Sequence, residues 1–340
     1  MRVTASAPGK LVLLGEYAVL VGAPALVLAV NRRAHATLTA IQGDHWEIVS
    51  PTLGLEARLT LRETGAGWDG AAPHELAWVA MLLERSRQAA GLPAYRVELD
   101  SDAFYIDHAG GRVKLGLGSS AALSVALLGG LRACAERATP TLDECIRAHR
   151  AIQHGRGSGI DVAAAFMGGL SRYELAGESA RCSPARLPED LAWRCIYSGR
   201  PASTGAMLAA VAAWRRREPA SFARCTRELA TISSRGVDAV ATNDAAAFLS
   251  SLHDYARALA AFGDTAGVDI ASREHRAISV IARSGGCVYK SCGAGGGDVG
   301  VTFAVEDKRV RDVCARVDRA GFPVIALEAD PQGLVVAATA

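Results

Sequence analysis

The sequence contains very little lysine. Of 37 basic residues only four are lysines (Lys10, Lys114, Lys290 and Lys308), and arginine carries the rest of the positive charge. Either residue serves for surface charge, but a compact, strongly hydrated ammonium is not interchangeable with a planar guanidinium at a phosphate site. Lys10, Lys114 and Lys290 all lie in glycine-rich segments, which marks those segments as places to look for chemistry. A one-sided charge is also missing. The formal net charge is +2 and the basic residues are scattered rather than gathered in a stripe, which argues against a nucleic-acid partner. No apolar run approaches the length that spans a bilayer, and the opening MRVTASAPGK lacks the basic region, apolar stretch and cleavage site of a secretory signal. A cytoplasmic protein with no membrane partner is therefore expected. The eight cysteines form no C-x-x-C pair and have no histidine at zinc-ligand spacing, so reduced thiols that mostly pack in the core are expected. Cys292 is set apart by its place inside a glycine-rich segment. Internal repeats and low-complexity tracts are absent.

What is present is ordinary globular composition, 50% apolar and 21% charged, in a chain of 340 residues, long enough for two domains with a core each. Strands are expected over 3–6, 11–14, 25–30, 34–39 and 95–99, with a helix over 73–90 closed by Gly91. Helices over 119–137, 142–153 and 159–167 follow, then a strand over 170–175. Residues 176–189, rich in small, polar and proline residues, suit a linker. Beyond it a strand (193–197), several helices between 204 and 283, strands at 287–290 and 299–305, a helix over 308–320 and strands at 324–328 and 334–337 describe a second α+β lobe. The expected division is 1–175 and 190–340.

The central motif is Lys114-Leu115-Gly116-Leu117-Gly118-Ser119-Ser120-Ala121-Ala122, opening directly into a helix. Glycines allow close backbone approach, serines can cap free amides, and a helix N-terminus presents amides and the positive end of its dipole to an anion. A plain capped helix after a glycine turn leaves Lys114 unexplained. A dinucleotide-binding G-x-G-x-x-A needs an acid about twenty positions on, at a strand end, and that position is Glu136 inside a helix. A Walker A loop needs its lysine after the last glycine, and here the lysine comes first.

The second motif, His154-Gly155-Arg156-Gly157-Ser158-Gly159-Ile160-Asp161, places one acid at a helix start. Asp161 either complements the helix dipole or serves as a catalytic carboxylate. Glu16 is the only other acid in a glycine-rich segment of the first half, and that scarcity favours chemistry. The third, Lys290-Ser291-Cys292-Gly293-Ala294-Gly295-Gly296-Gly297-Asp298, has more glycine than a hairpin needs and suits a backbone lying against a ligand. Pro8-Gly9-Lys10 with Gly15-Glu16-Tyr17 sits between two strands, and Ser198-Gly199-Arg200-Pro201-Ala202-Ser203-Thr204 places hydroxyls at a helix start, where a plain N-cap is equally consistent.

In this order and spacing, PGKLVLLGEYAVL, KLGLGSSAA, GSGIDVAAA, SGRPAST and KSCGAGGGD resemble the GHMP small-molecule kinases over nearly the whole chain. Within that superfamily the chain is most similar to the phosphomevalonate kinases. They share Gly-Glu-Tyr in place of Gly-Glu-His, a lysine ahead of Gly-Leu-Gly-Ser-Ser, and the Gly-Ala-Gly-Gly-Gly-Asp ending. The resemblance implies a two-lobed α+β fold, a ribosomal S5-like lobe followed by a ferredoxin-like lobe, with the site in the cleft. It implies γ-phosphoryl transfer from ATP to a phosphorylated small molecule, 5-phosphomevalonate. Gly116, Leu117, Gly118, Ser119, Ser120, Ala121 and Ala122 would wrap the nucleotide, Ser120 would help hold Mg²⁺, and Lys10, Lys114 and Asp161 would sit at the transferring phosphoryl group. Glu16, Tyr17, Gly157, Ser158, Ser198, Ser203, Thr204, Lys290, Cys292, Gly293, Ala294, Gly295, Gly296 and Asp298 would face the acceptor.

Two positions depart from the family pattern. Mevalonate kinases carry a metal-binding glutamate eleven residues before the catalytic aspartate, where this chain has Arg150, and the third motif has Cys292 where serine is usual. Mevalonate kinase, diphosphomevalonate decarboxylase and a silent nucleotide-binding relative stay open as alternatives. So does the oligomeric state, a homodimer included.

Overall fold

The computed structural model describes residues 1–62, 65–71, 73–85, 92–153, 155, 157–177 and 179–339. The expected helix tail at 86–90 with Gly91, and His154 and Arg156 of the second motif, lie outside the described residues.

The chain opens with β1 (Arg2–Leu14), β2 (Ala25–Ala40), β3 (His45–Ser50), β4 (Leu55–Arg62) and β5 (Gly65–Trp68), followed by α1 (Ala77–Arg85) and β6 (Tyr95–Asp100). The small hairpin of β7 (Tyr105–His108) and β8 (Gly111–Lys114) leads into α2 (Ser119–Cys134), α3 (Leu142–Ile152) and α4 (Ile160–Met167). Next come β9 (Leu170–Ala176), β10 (Ser179–Ala185), β11 (Ala192–Tyr197) and the helices α5 (Thr204–Arg217), α6 (Pro219–Ala241), α7 (Ala245–Ala266) and α8 (Arg273–Ser284). The chain closes with β12 (Val288–Ser291), β13 (Val299–Ala304), α9 (Asp307–Arg319), β14 (Val324–Ile325) and β15 (Val335–Thr339).

The strand pairs expected at 3–6 with 11–14, and at 25–30 with 34–39, are each one continuous strand. β1 and β2 pair antiparallel over their whole length, with a register shift at Pro8/Gly9 where Asn31 and Arg32 bulge from β2. A proline that lacks an N–H is tolerated at such a bulge, and the bulge re-aims the side chain that follows, Lys10.

The segment expected as a linker contains a strand instead. β10 pairs with β9 at the edge of a nine-stranded, mostly antiparallel sheet. Pro184 is compatible with that strand because β10 pairs on one side only. β15, expected with the second lobe, pairs with β1 in this same sheet.

The second sheet runs β12-β13-β11-β14, antiparallel throughout. Both of its faces are covered, as strand alternation requires. Cys195 and Tyr197 face the main core, whereas Ile196 joins Ile278, Val310, Val313 and Val317 in a separate cluster under α8 and α9. No helix among the described residues is long and apolar enough to cross a membrane.

Candidate active site

Lys10 is where the glycine segments meet. A Cβ on Gly9 would lie 2.9 Å from Phe104 and 3.0 Å from the Leu117 carbonyl, so only glycine lets β1 come this close to the loop before α2. The Lys10 N–H then donates to Leu117 O at 2.8 Å. Its ammonium, buried, lies 3.5 Å from Gly116 O and 3.6 Å from Asp161 Oδ1. A Cβ on Gly118 would sit 3.2 Å from Lys10 Cγ and 3.8 Å from Asp161 Cβ, and one on Gly293 would sit 3.6 Å from Lys10 Nζ.

Two helices start here without side-chain caps. Gly118 begins α2 in the left-handed region and Gly159 begins α4 in the same way, each without a side-chain cap. Ser119 and Ser120, expected to satisfy the amides, lie within the first turn of α2 instead, so those amides remain open to an anion. Leu117, Ala121 and Ala122 are buried and root the loop in the core, and Ser120 is exposed. Lys114, at the end of β8, remains largely exposed, yet the protein around its ammonium lowers its pKa, with Asp298 pulling the other way.

The residue that sequence reasoning missed is His149. It is buried on α3, and its Nε2 lies 3.4 Å from Ser120 Oγ. Burial lowers its pKa against the pull of Asp161, so the ring is neutral at pH 7. His149 and Gln153, four residues apart and so on one helix face, both line the cavity beside Lys10. Nothing local sets His149 apart from an ordinary helix residue. A capping box of Thr141 and Glu144 starts α3, and its apolar pattern reads as plain amphipathic helix.

Arg150 turns away from the cavity and donates to the carbonyls of Gly157 (3.2 Å) and Ser158 (3.3 Å), fixing the loop ahead of Asp161. Arg150→Ala is expected to raise the acceptor KM by at least about tenfold, the equivalent of one lost charged hydrogen bond. Steady-state kinetics with an unchanged KM would show that the clamp is dispensable.

The third glycine segment covers the other side. Tyr17, at φ 60, donates to Ala294 O at 2.6 Å and stacks on Phe262 at 4.9 Å, and burial raises the pKa of its hydroxyl, with Glu16 adding to the effect. Glu16 and Lys290 form an ion pair under the cavity, with side chains only 4% and 2% exposed. Lys290 also donates to Ser291 O at 2.8 Å, and Glu16 Oε1 accepts from the Gly293 N–H at 3.2 Å. Glu16 Oε2 is buried with no hydrogen-bond partner. Glu16 lines the cavity, whereas Lys290 lies beneath it.

Cys292 is likewise buried away from the cavity, its thiol pushed up to about 12 by desolvation against the pull of Lys290. Gly295 packs against Ile270 and Gly296 against Met207 of α5, where side chains would collide. Asp298, at φ 58, accepts from the Ala202 N–H at 3.0 Å, and its carboxylate lies against Gly116. Burial raises its pKa, opposed by that N–H, Lys10 and Lys114. Ser198 is fully buried and bonds to Arg200 O at 3.2 Å, while Ser203 caps α5 through the Ala206 N–H at 3.3 Å.

The structure thus brings Lys10, Glu16, Tyr17, Gly157, Ser158, Asp161, Thr204, Gly293 and Ala294 to one cavity of about 340 Å³. It places Ser198, Ser203, Lys290, Cys292, Gly295, Gly296 and Asp298 outside the cavity wall.

Phosphoryl transfer asks little covalent chemistry of a protein. It needs amides around phosphates, positive charge at the transferring group and a shaped pocket for the acceptor. All three surround Lys10, which sets the chain among small-molecule phosphotransferases. Residues 76–169 match the family described as GHMP kinases N terminal domain. The chain is 28% identical to a Streptomyces phosphomevalonate kinase, covering 96% of this chain and 97% of the relative. It is 31% identical to a mevalonate kinase of Methanothermobacter thermautotrophicus, covering 87% and 88%. The crystal structure of Streptococcus pneumoniae phosphomevalonate kinase with phosphomevalonate and AMPPNP superposes with a TM-score of 0.78 at 16% identity, covering 97% of this chain and 99% of that one. The chain belongs to the GHMP kinases. It is an ATP-dependent phosphotransferase with their two-lobed α+β fold.

Proposed function

We propose that this enzyme transfers the γ-phosphoryl group of ATP to 5-phosphomevalonate, forming 5-diphosphomevalonate in the mevalonate route to isoprenoids. The observation that carries this reading is the ammonium of Lys10, set between Gly116, Asp161 and Gly293 on the wall of the acceptor cavity. The likeness to the Streptomyces phosphomevalonate kinase over nearly the whole chain supports the choice of acceptor.

A phosphate monoester has a second pKa of about 6, so at pH 7 the attacking oxygen is largely ionised and needs little help from a base. Asp161 then acts by orienting Lys10, which neutralises charge on the transferring group, and the open amides of α2 and Lys114 hold the nucleotide phosphates. Glu16, paired with Lys290 and accepting from the Gly293 N–H, holds the third glycine segment against the acceptor cavity.

Among the described residues no three His, Cys, Asp or Glu side chains cluster closely enough to cage a metal. Mg²⁺ rarely needs such a cage, because it keeps waters and takes one or two carboxylates plus substrate phosphates. The exposed Ser120 hydroxyl and the partly exposed Asp161 carboxylate fit an ion carried on the nucleotide and would hold it. The ion would neutralise charge on the phosphates.

The second reading is a mevalonate kinase, favoured by the 31% identity to the Methanothermobacter enzyme. There Asp161 must steer the proton of an alcohol. Asp161→Asn is expected to slow turnover of phosphomevalonate by less than about 10²-fold, whereas an alcohol kinase would lose the ~10²–10⁴-fold typical of a missing general base. Incubating the purified enzyme with MgATP and either acceptor, and reading ADP release and product mass, decides between them. A diphosphate product from phosphomevalonate alone supports the first reading, and turnover of mevalonate alone overturns it.

A further inference from the structure

His275 is a buried titratable residue with no part in the chemistry described above. It lies on α8, only 3% exposed, and is hydrogen-bonded through both ring nitrogens. Nε2 lies 2.9 Å from the Gly297 carbonyl, and Nδ1 lies 2.8 Å from the Tyr289 hydroxyl on β12. Burial lowers the pKa of the ring against the pull of the Gly297 carbonyl and Glu274, so the imidazole is neutral at pH 7. A carbonyl oxygen can only accept, so the proton of the neutral ring sits on Nε2, and Nδ1 accepts from the Tyr289 hydroxyl. The surroundings are shaped for this bridge. Ser272 caps α8 by accepting from the His275 N–H at 3.4 Å, and Gly300 on β13 leaves room for the Tyr289 hydroxyl, which a Cβ there would strike.

What the bridge holds is the corner from Gly297 to Asp298. A Cβ on Gly297 would collide with the Arg200 carbonyl, and that carbonyl accepts from the Asp298 N–H at 2.7 Å. Asp298 stands at φ 58, a conformation that a residue with a side chain keeps only where its surroundings impose it. From there Oδ1 accepts from the Ala202 N–H at 3.0 Å, while Oδ2 lies against Gly116 in the loop before α2. Lys10 and Lys114 are both within electrostatic reach of this carboxylate. It gives Lys114 a counter-charge that favours the protonated ammonium, the form a phosphate needs, against the burial that disfavours it.

We propose that His275 is a positioning residue for phosphoryl transfer, acting through the Gly297 carbonyl to hold the Asp298 carboxylate beside Gly116 and the two lysines. The inference rests on the phosphotransferase activity and is independent of which acceptor the enzyme takes. The bond to Gly297 carries the effect, and the bond to Tyr289 serves to keep the proton on Nε2. The two can be separated. A glutamine amide nitrogen reaches the place of Nε2 and can still donate to Gly297, whereas an asparagine amide reaches only the place of Nδ1 and leaves that carbonyl without its donor.

The test uses the full-length enzyme with MgATP and a saturating concentration of whichever acceptor it turns over. His275→Asn is expected to lower kcat/KM for ATP by at least about tenfold, because a displaced corner misplaces groups at the phosphates. His275→Gln should stay within about threefold of the unaltered enzyme, although each variant gives up one of the two bonds and both should melt at similar temperatures. Asp298→Asn should reproduce the loss, and adding His275→Asn to it should cost no more than about threefold further, because the two act through one group. Should His275→Asn fail to fold, His275→Met, which fills the space without a donor, takes its place. Equal losses in the Asn and Gln variants, full turnover in His275→Asn or in Asp298→Asn, or losses that multiply in the double variant would each overturn the inference and leave the acceptor reading untouched.

Discussion

Gly118→Ala is expected to lower kcat/KM for ATP by about 10²-fold or more while the protein still folds. Gly118 holds φ +83, a conformation an L side chain rarely adopts, and the added Cβ would lie 3.2 Å from Lys10 Cγ and 3.3 Å from its Cε. Backbone strain of this kind costs about 1–3 kcal/mol, which a two-lobed domain tolerates. The larger effect falls on catalysis, because displacing a positioned group by 1 Å can cost about 10²-fold. Thermal melts with single-turnover kinetics separate the two effects. A variant that loses stability but keeps its turnover would show that the ammonium of Lys10 is not positioned by this contact.

The second large effect concerns stability. Lys290→Met leaves Glu16 with a buried, uncompensated charge, and breaking a buried pair from one side costs about 3–5 kcal/mol. At about 2–4 °C per kcal/mol, the value for chains of 150–250 residues, the melting temperature should fall by about 6–20 °C. Glu16→Gln added to Lys290→Met removes the orphaned charge and should recover most of that loss, because a buried pair stabilises little relative to neutral groups of similar shape. A double variant no more stable than Lys290→Met would mean that the ammonium matters through its bonds to the Ser291 and Val12 carbonyls instead.

Glycine and lysine made much of the site legible from sequence, because close backbone approach and compact positive charge are local demands that only a few residue types meet. Lys10, Asp161 and the Gly116–Gly118 turn are examples. What stayed hidden depends on partners far away in the chain. Pro8-Gly9 reads as a break in β1 until Leu117, more than a hundred residues on, supplies the carbonyl that the strand approaches. Lys290 reads as an acceptor-facing residue because its segment is rich in glycine, and only the fold reveals that Glu16 claims it. Ser119 and Ser120 read as caps, although Gly118 takes the N-cap position and leaves them in the first turn. Residues 176–189 read as a linker because small and polar residues suit loops, yet the same composition is compatible with an edge strand that needs hydrogen bonds on one side only.

The pairing of β1 with β15 bears on the order in which the enzyme is built. Arg2 lies opposite Thr339, so one flank of the strand that carries Lys10 is completed only when residues 335–339, more than three hundred positions on, return to it. During synthesis β1 can pair early with β2, its neighbour in sequence, while its outer edge waits as an open row of donors and acceptors. Contacts this far apart in sequence slow folding and prolong the exposure of such edges. Activity should accordingly appear only once β15 has been made and paired with β1, and not with residues 1–175 alone.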